Sequence, residues 1–109
     1  MFRLSAWVLG RIGEDEDRSL IRSRLADAQD DQLVRAFLNH SLARLGDPEG
    51  QQALLENLES SDPAIRTSAA VFAGESGIVA AAPLLIRQLD DANRDARIRA
   101  AQALIELSQ

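Results

Sequence analysis

Three features of the sequence predict an all-α solenoid of repeated helical hairpins. Glycines at 13, 46 and 77, spaced 33 and 31 residues apart, each close a segment that superposes on the others without gaps. Between these segments lie shorter ones in which Ile21, Leu54 and Leu85 share one slot and Leu25, Leu58 and Leu89 another, again 33 and 31 apart. Apolar residues recur at i, i+4 and i+7, the period of an amphipathic helix, and Gly- and Asp-rich joints divide the segments. Self-similarity at such a period marks stacked supersecondary units, each of which buries its apolar face only against a neighbour.

Taken in order, the pattern places helices at about 2–12, 17–27, 31–45, 49–59, 63–75, 81–90 and 94–107, seven in all. They group into a partial unit at about 1–13 and hairpins at about 14–46, 47–77 and 78–109, a single domain of 109 residues that is a whole array or a piece of a longer one. The joints carry matching cap chemistry. Asp47-Pro48 and Asp62-Pro63 each set a carboxylate at an N-cap before a proline at the first helical position, where the missing N–H costs nothing. Pro83 is tolerable if its helix starts just before it. Gly13, Gly46 and Gly77 stand where a helix C-terminus takes a left-handed residue.

The phrases Asp62-Pro63-Ala64-Ile65-Arg66 with Ala69-Ala70, Asp95-Ala96-Arg97 with Ala100-Ala101, and Pro83-Leu84-Leu85 resemble the HEAT-like repeats, including those of phycobilisome-lyase type. The resemblance runs along essentially the whole chain. It implies a right-handed α-α superhelix that binds or scaffolds proteins, with a chromophore-lyase-type or other enzyme-associated subunit as the alternative. The chain departs from the repeat pattern at Phe2 in the first Arg slot, at Asn39 and Ser41, and at Ile105 in the last Gly slot. The family pattern pairs the recurring arginines, here Arg35, Arg66 and Arg97, with an Asp ending the preceding helix. Asp27 and Asp91 occupy that place and Ser60 fills it in the middle, so an Arg–Asp ladder between hairpins is expected.

Composition narrows the function classes. The net charge of -5 opposes sequence-independent nucleic-acid binding, which needs several phosphates neutralised. All 12 cations are Arg, read as a coding bias of a bacterial-like source. The absence of Cys rules out a disulfide framework or Cys-ligated zinc and makes the cytoplasm the default compartment. No stretch reaches the ~18 apolar residues of a membrane span. His40 is the single histidine, no catalytic set can be assembled around it, and no His/Glu pair has helical metal spacing, so no enzyme activity, metal or cofactor is expected. Glu14-Asp15-Glu16-Asp17 lacks the alternation and central Gly of a calcium loop and suits a helix start.

The candidate partner site is a ridge across the second helix of each hairpin: Arg3, Trp7 and Arg11, then Ala36, His40 and Arg44, then Thr67, Val71 and Glu75, then Ile98, Gln102 and Glu106. Each set is spaced i, i+4, i+8. The ridge grades from basic and aromatic to acidic, and Arg3, Trp7, Arg11, His40 and Arg44 are the expected contacts for a peptide or protein partner. The helix expected at 2–12 has no polar cap in front of Phe2, Leu4, Trp7 and Val8, so an upstream helix of a longer array, an end-to-end homodimer or the partner itself is expected to cover it, the longer array being favoured, with self-association of this chain as its consequence. Sedimentation should therefore show concentration-dependent association with Trp7 fluorescence blue-shifted and protected from quenchers. A strict monomer with water-exposed Trp7 would count against that expectation.

Overall fold

A computed structural model describes residues 14–28 and 30–109 of the chain; the helix expected at 2–12 lies outside the described residues. Six α-helices follow: α1 (Glu14–Asp27), α2 (Gln32–Arg44), α3 (Pro48–Asn57), α4 (Pro63–Glu75), α5 (Ala82–Gln88) and α6 (Arg94–Leu107). A 3-10 turn, Val79–Ala81, leads into α5, so the helix expected at 81–90 is shorter than its pattern and Pro83 sits in its first turn, where no backbone donor is lost. Two predicted helices have the observed bounds, 63–75 and 94–107, and α1 starts three residues earlier than expected.

Caps set these boundaries. Asp31, Asp47, Asp62 and Asn93 hold extended backbone and accept from Val34, Gly50, Ala64 and Ala96 N–H at 3.1, 3.0, 2.9 and 3.0 Å. At the other ends, Gly46 and Gly77 have φ of 85° and 67°. Asp47 N–H reaches Leu42 O and Gly46 N–H reaches Ala43 O, both at 3.0 Å; Ile78 to Ala73 and Gly77 to Gly74 repeat the pair at 3.0 and 3.3 Å. Both joints are thus the same Schellman closure, 31 residues apart, at glycines the sequence pattern assigned to them.

The helices pair as hairpins α1–α2, α3–α4 and α5–α6, and the second helices stack directly, α2 on α4 and α4 on α6. Their interface is lined by small residues, among them Ala43, Ala69, Ala70, Ala73, Ala100 and Ala103, with Leu54, Leu58 and Leu85 from the first helices closing the core behind. Two glycines permit the closest approaches. A Cβ on Gly50 would lie 2.6 Å from Ala43 N and from Leu42 Cβ, and one on Gly74 would lie 2.8 Å from Ala103 Cα.

Arginines tie hairpin to hairpin. Arg66 donates from Nε and Nη2 to both carboxylate oxygens of Asp91, at 2.9 and 3.0 Å, and from Nη1 to Ser60 O at 2.9 Å. The expected ladder is corrected in its direction at Arg66: its carboxylate, Asp91, comes from the following hairpin and Ser60 behind it offers only a carbonyl, whereas Asp91 lies behind Arg97, as expected, and feels its charge. Arg35 likewise caps Leu25 O at 3.2 Å and Arg97 caps Asp91 O at 2.8 Å. The cause is geometric, since the guanidinium fork lies between two helix ends and its bidentate side faces forward. Arg22 pairs with the Asp47 cap, and Arg18 Nη2 donates to Leu45 O at 2.6 Å, so α1 clamps the α2–α3 joint.

Gly50→Ala tests the close approach. Helix propensity alone favours the alanine by ~1 kcal/mol. Because the added methyl meets backbone that cannot yield, urea unfolding should instead show a net loss of about 1–3 kcal/mol; a gain would show that α3 is free to move off α2.

Candidate functional site

The three stacked second helices form one continuous face, and the residues expected on its ridge divide by helix rotation. Arg3, Trp7 and Arg11 lie outside the described residues. Arg44 is on the surface: its guanidinium carbon stands 4.8 Å above the Phe72 ring, and it makes an ion pair with Glu75, the residue in its own slot one repeat on. Both side chains of that pair are about half exposed, so it contributes little to stability. It also cancels charge along the ridge, at the point where a basic-to-acidic gradient was expected to change sign.

His40 requires a correction. Its relative exposure is 0%, so the ring is no part of an accessible face. The i, i+4 row from Ala36 to His40 turns into the α2–α4 interface, where Ala36 is also buried. There His40 joins three helices. Asn57 Nδ2, a donor, lies 3.0 Å from Nε2, which must therefore accept; Nδ1 then carries the proton and donates to Ser68 Oγ at 3.1 Å. Burial pushes the imidazole pKa down from 6.5 to about 4, which keeps the ring neutral near pH 7. Such a group is a weak base, and its Nε2 lone pair is already engaged. The arrangement is a satisfied polar link between α2, α3 and α4, and its Phe72 neighbour packs 5.5 Å away, centroid to centroid.

The accessible part of the face is one residue further round. Phe37 is 46% exposed and meets Phe72 edge to face with centroids 6.3 Å apart. These rings, with Pro63, Ala64, Thr67 and Val71 of α4, line an open groove of about 680 Å³, bounded on the α6 side by Asn93, Asp95 and Arg99. Thr67 spends its hydroxyl on Pro63 O at 2.7 Å, leaving its methyl to the groove. Of the ridge set out from the sequence, Thr67 and Val71 line this groove and Arg44 borders it through Phe72. Phe37, Phe72 and Arg99 were missed. A signal existed, because Phe37 and Phe72 are two of only three phenylalanines in the chain and a solenoid core of alanines has little use for them.

Residues 29–105 match the model of one protein family, described as HEAT repeats. The chain belongs to the HEAT repeat family. The stacked helical hairpins agree with that membership, and HEAT repeats generally mediate protein–protein interaction. No curated protein matches the chain. No helix among the described residues is long and apolar enough to cross a membrane.

The buried groups make this HEAT fold acid-sensitive in one direction. The His40 pKa is lower folded than unfolded, so the unfolded chain binds its proton first, and stability falls as pH drops from 6.5 towards about 4. Full expression of that shift amounts to about 3 kcal/mol. Asp47, held below the usual carboxylate range by the Gly50 N–H and then by Arg22, adds loss only below that range, as does Asp91, held down by the Asn93 N–H and then Arg66. In urea titrations at about pH 7 and about pH 5, wild type should lose stability at the lower pH and His40→Gln should lose far less. Equal losses in the two proteins would remove His40 from the account.

Proposed function

We propose that this HEAT array is a protein-interaction module, not an enzyme, that takes an extended peptide or a helix from a partner protein along the face of α2, α4 and α6. The observation that carries this reading is the open Phe37–Val71–Phe72 groove: an aromatic-floored trough with a polar rim, lined by residues of α2 and α4 and bordered by α6. Phe37, half out of water in the free chain, gains burial on binding, and such aromatic anchors commonly dominate interface energies. Asp95 and Arg99 on the rim supply direction for a charged or polar partner group. Arg3, Trp7 and Arg11 belong to the proposal as an extension of the face towards the N-terminal end, in a right-handed superhelix. His40 contributes by fixing Phe72 and Ser68 from behind, and Arg44 by covering the Phe72 ring.

A soluble, cytoplasmic setting suits such a non-catalytic module. The chromophore-lyase-type alternative draws on the repeat resemblance alone; a tetrapyrrole titration with no change in absorbance would set it aside.

Panning a displayed random-peptide library against the whole chain tests the reading. Selected peptides should lose affinity by about tenfold or more on Val71→Asp and on Phe37→Ser, with helicity retained in both variants. Binders indifferent to both substitutions would place the partner surface elsewhere.

A further inference from the structure

The chain contains one kind of joint twice, 31 residues apart, and the two copies differ in what fills them. At the later joint a cavity of about 390 Å³ lies beside Arg66, Leu84, Arg87, Gln88 and Asp91. At the earlier joint the residues in those same slots, Arg35, Ala53, Glu56, Asn57 and Ser60, line a cavity of about 530 Å³. Ala53, Asn57 and Ser60 are each smaller than their later counterparts, which accounts for the added room. Asn39, in the wall of the larger cavity, stands where the later repeat has the fully buried Ala70.

The decisive exchange is at Ser60. Asp91 does two jobs at its joint: one carboxylate oxygen accepts from Asn93 N–H at 2.8 Å and shapes the turn, and both oxygens take the Arg66 fork. Ser60 keeps the first job, its Oγ accepting from Asp62 N–H at 3.1 Å, but brings no carboxylate. Arg35, part-buried, donates from Nη1 to Leu25 O at 3.2 Å. Its Nε and Nη2 make no hydrogen bond or ion pair among the described residues, Asp27 included. A guanidinium drawn partly out of water without a counter-charge is unfavourable, and its planar fork is shaped for a carboxylate. The neighbouring joint shows the group that fits.

The rest of the cavity selects among carboxylates. Where the later joint has the cation Arg87, this one has Glu56, whose side chain accepts one hydrogen bond among the described residues, from Gln52 Nε2 at 3.3 Å. Arg35 and Glu56 line the same space without pairing, so the lining carries one charge of each sign. A bare anion would gain Arg35 and meet repulsion from Glu56, whereas a molecule with charges of both signs gains from each. Neutral hydrogen-bonding groups stand beside them. The Asn39 side chain has no partner among the described residues, and Asn57, fixed through Nδ2 by His40 at 3.0 Å, keeps its Oδ1 unspent. The volume lies in the ordinary range of small-molecule sites.

We infer that this cavity binds a small zwitterion, a free amino acid, with its carboxylate on the Arg35 fork and its ammonium towards Glu56. The ligand's carboxylate takes the place that Asp91 holds one repeat later, and Asn39 and Asn57 offer hydrogen bonds to the remainder. The cavity shares no lining residue with the Phe37–Phe72 groove, so this site holds or fails independently of peptide binding there.

NMR titration of the whole ¹⁵N-labelled chain with glycine, glutamine, γ-aminobutyrate, acetate and methylammonium tests this. At least one of the three amino acids should shift the Arg35 Nε–H signal and the Asn39 and Asn57 side-chain amides, and should bind about tenfold or more tightly than acetate or methylammonium. Arg35→Gln should abolish those shifts. Ser60→Asp, which supplies the missing carboxylate from within the chain, should abolish binding while raising the thermal midpoint, a pairing that loss of folding cannot mimic. Glu56→Gln should weaken the amino acid and strengthen acetate. Acetate bound as tightly as the amino acids would mark a site for a bare carboxylate and overturn the inference. No shift in the wild-type chain from any amino acid would overturn it too, as would shifts that survive Arg35→Gln.

Discussion

Between α2 and α3, and again between α4 and α6, the helices meet at positions with no room for a side chain. Gly50 faces the backbone of Ala43 at a distance that excludes a methyl, and Gly74 faces Ala103 in the same way. With so few large residues available, the chain builds its core by bringing helices close, so dispersion contacts come from many alanine methyls and backbone atoms instead of from interlocking bulky side chains. The stacking of each unit on the next follows from these close approaches. So does the direction in which every other side chain of the second helices points.

Once the helices are this close, polar groups caught between them must be satisfied, and the chain uses that requirement to align its units. His40, Asn57 and Ser68 form a hydrogen-bonded link that engages both imidazole nitrogens, with the ring held neutral by burial. Asp47 and Asp91 serve twice, as acceptors for backbone N–H at a helix start or turn and as partners for an arginine from a neighbouring helix. Each such group costs free energy if its partner slides away, so a small displacement of one hairpin past another is penalised more steeply than by apolar contact alone. The same packing leaves a groove, because the row beginning at Phe37 is rotated out of the interface while the row through His40 is rotated in.

Cap and joint chemistry was legible because it is local. Asp47-Pro48, Asp62-Pro63, Gly46 and Gly77 act within about five residues of themselves, and each stands where the repeat pattern put it. The shortening of α5 was less legible: Val79-Ala80-Ala81 has helical propensity, yet with Pro83 just ahead it forms a tighter turn. The arginine slots were visible as a period, but a period carries no sign. Whether Arg66 finds its carboxylate behind or ahead depends on which helix end lies within reach of its fork, a distance the sequence does not encode on its own.

By itself the sequence determined the helices, the hairpin period, the caps and the membership of a repeat class, because these rest on neighbours along the chain and on an apolar rhythm that survives reading one residue early or late. Only the tertiary structure decided which row of the second helices meets water. One residue along a helix is a turn of about 100°, so the step from Ala36 and His40 to Phe37 separates the interior from the groove. That rotation is set by the closest contacts between helices, at Gly50 with Ala43 and Gly74 with Ala103, which join residues far apart in the chain and have no local signature.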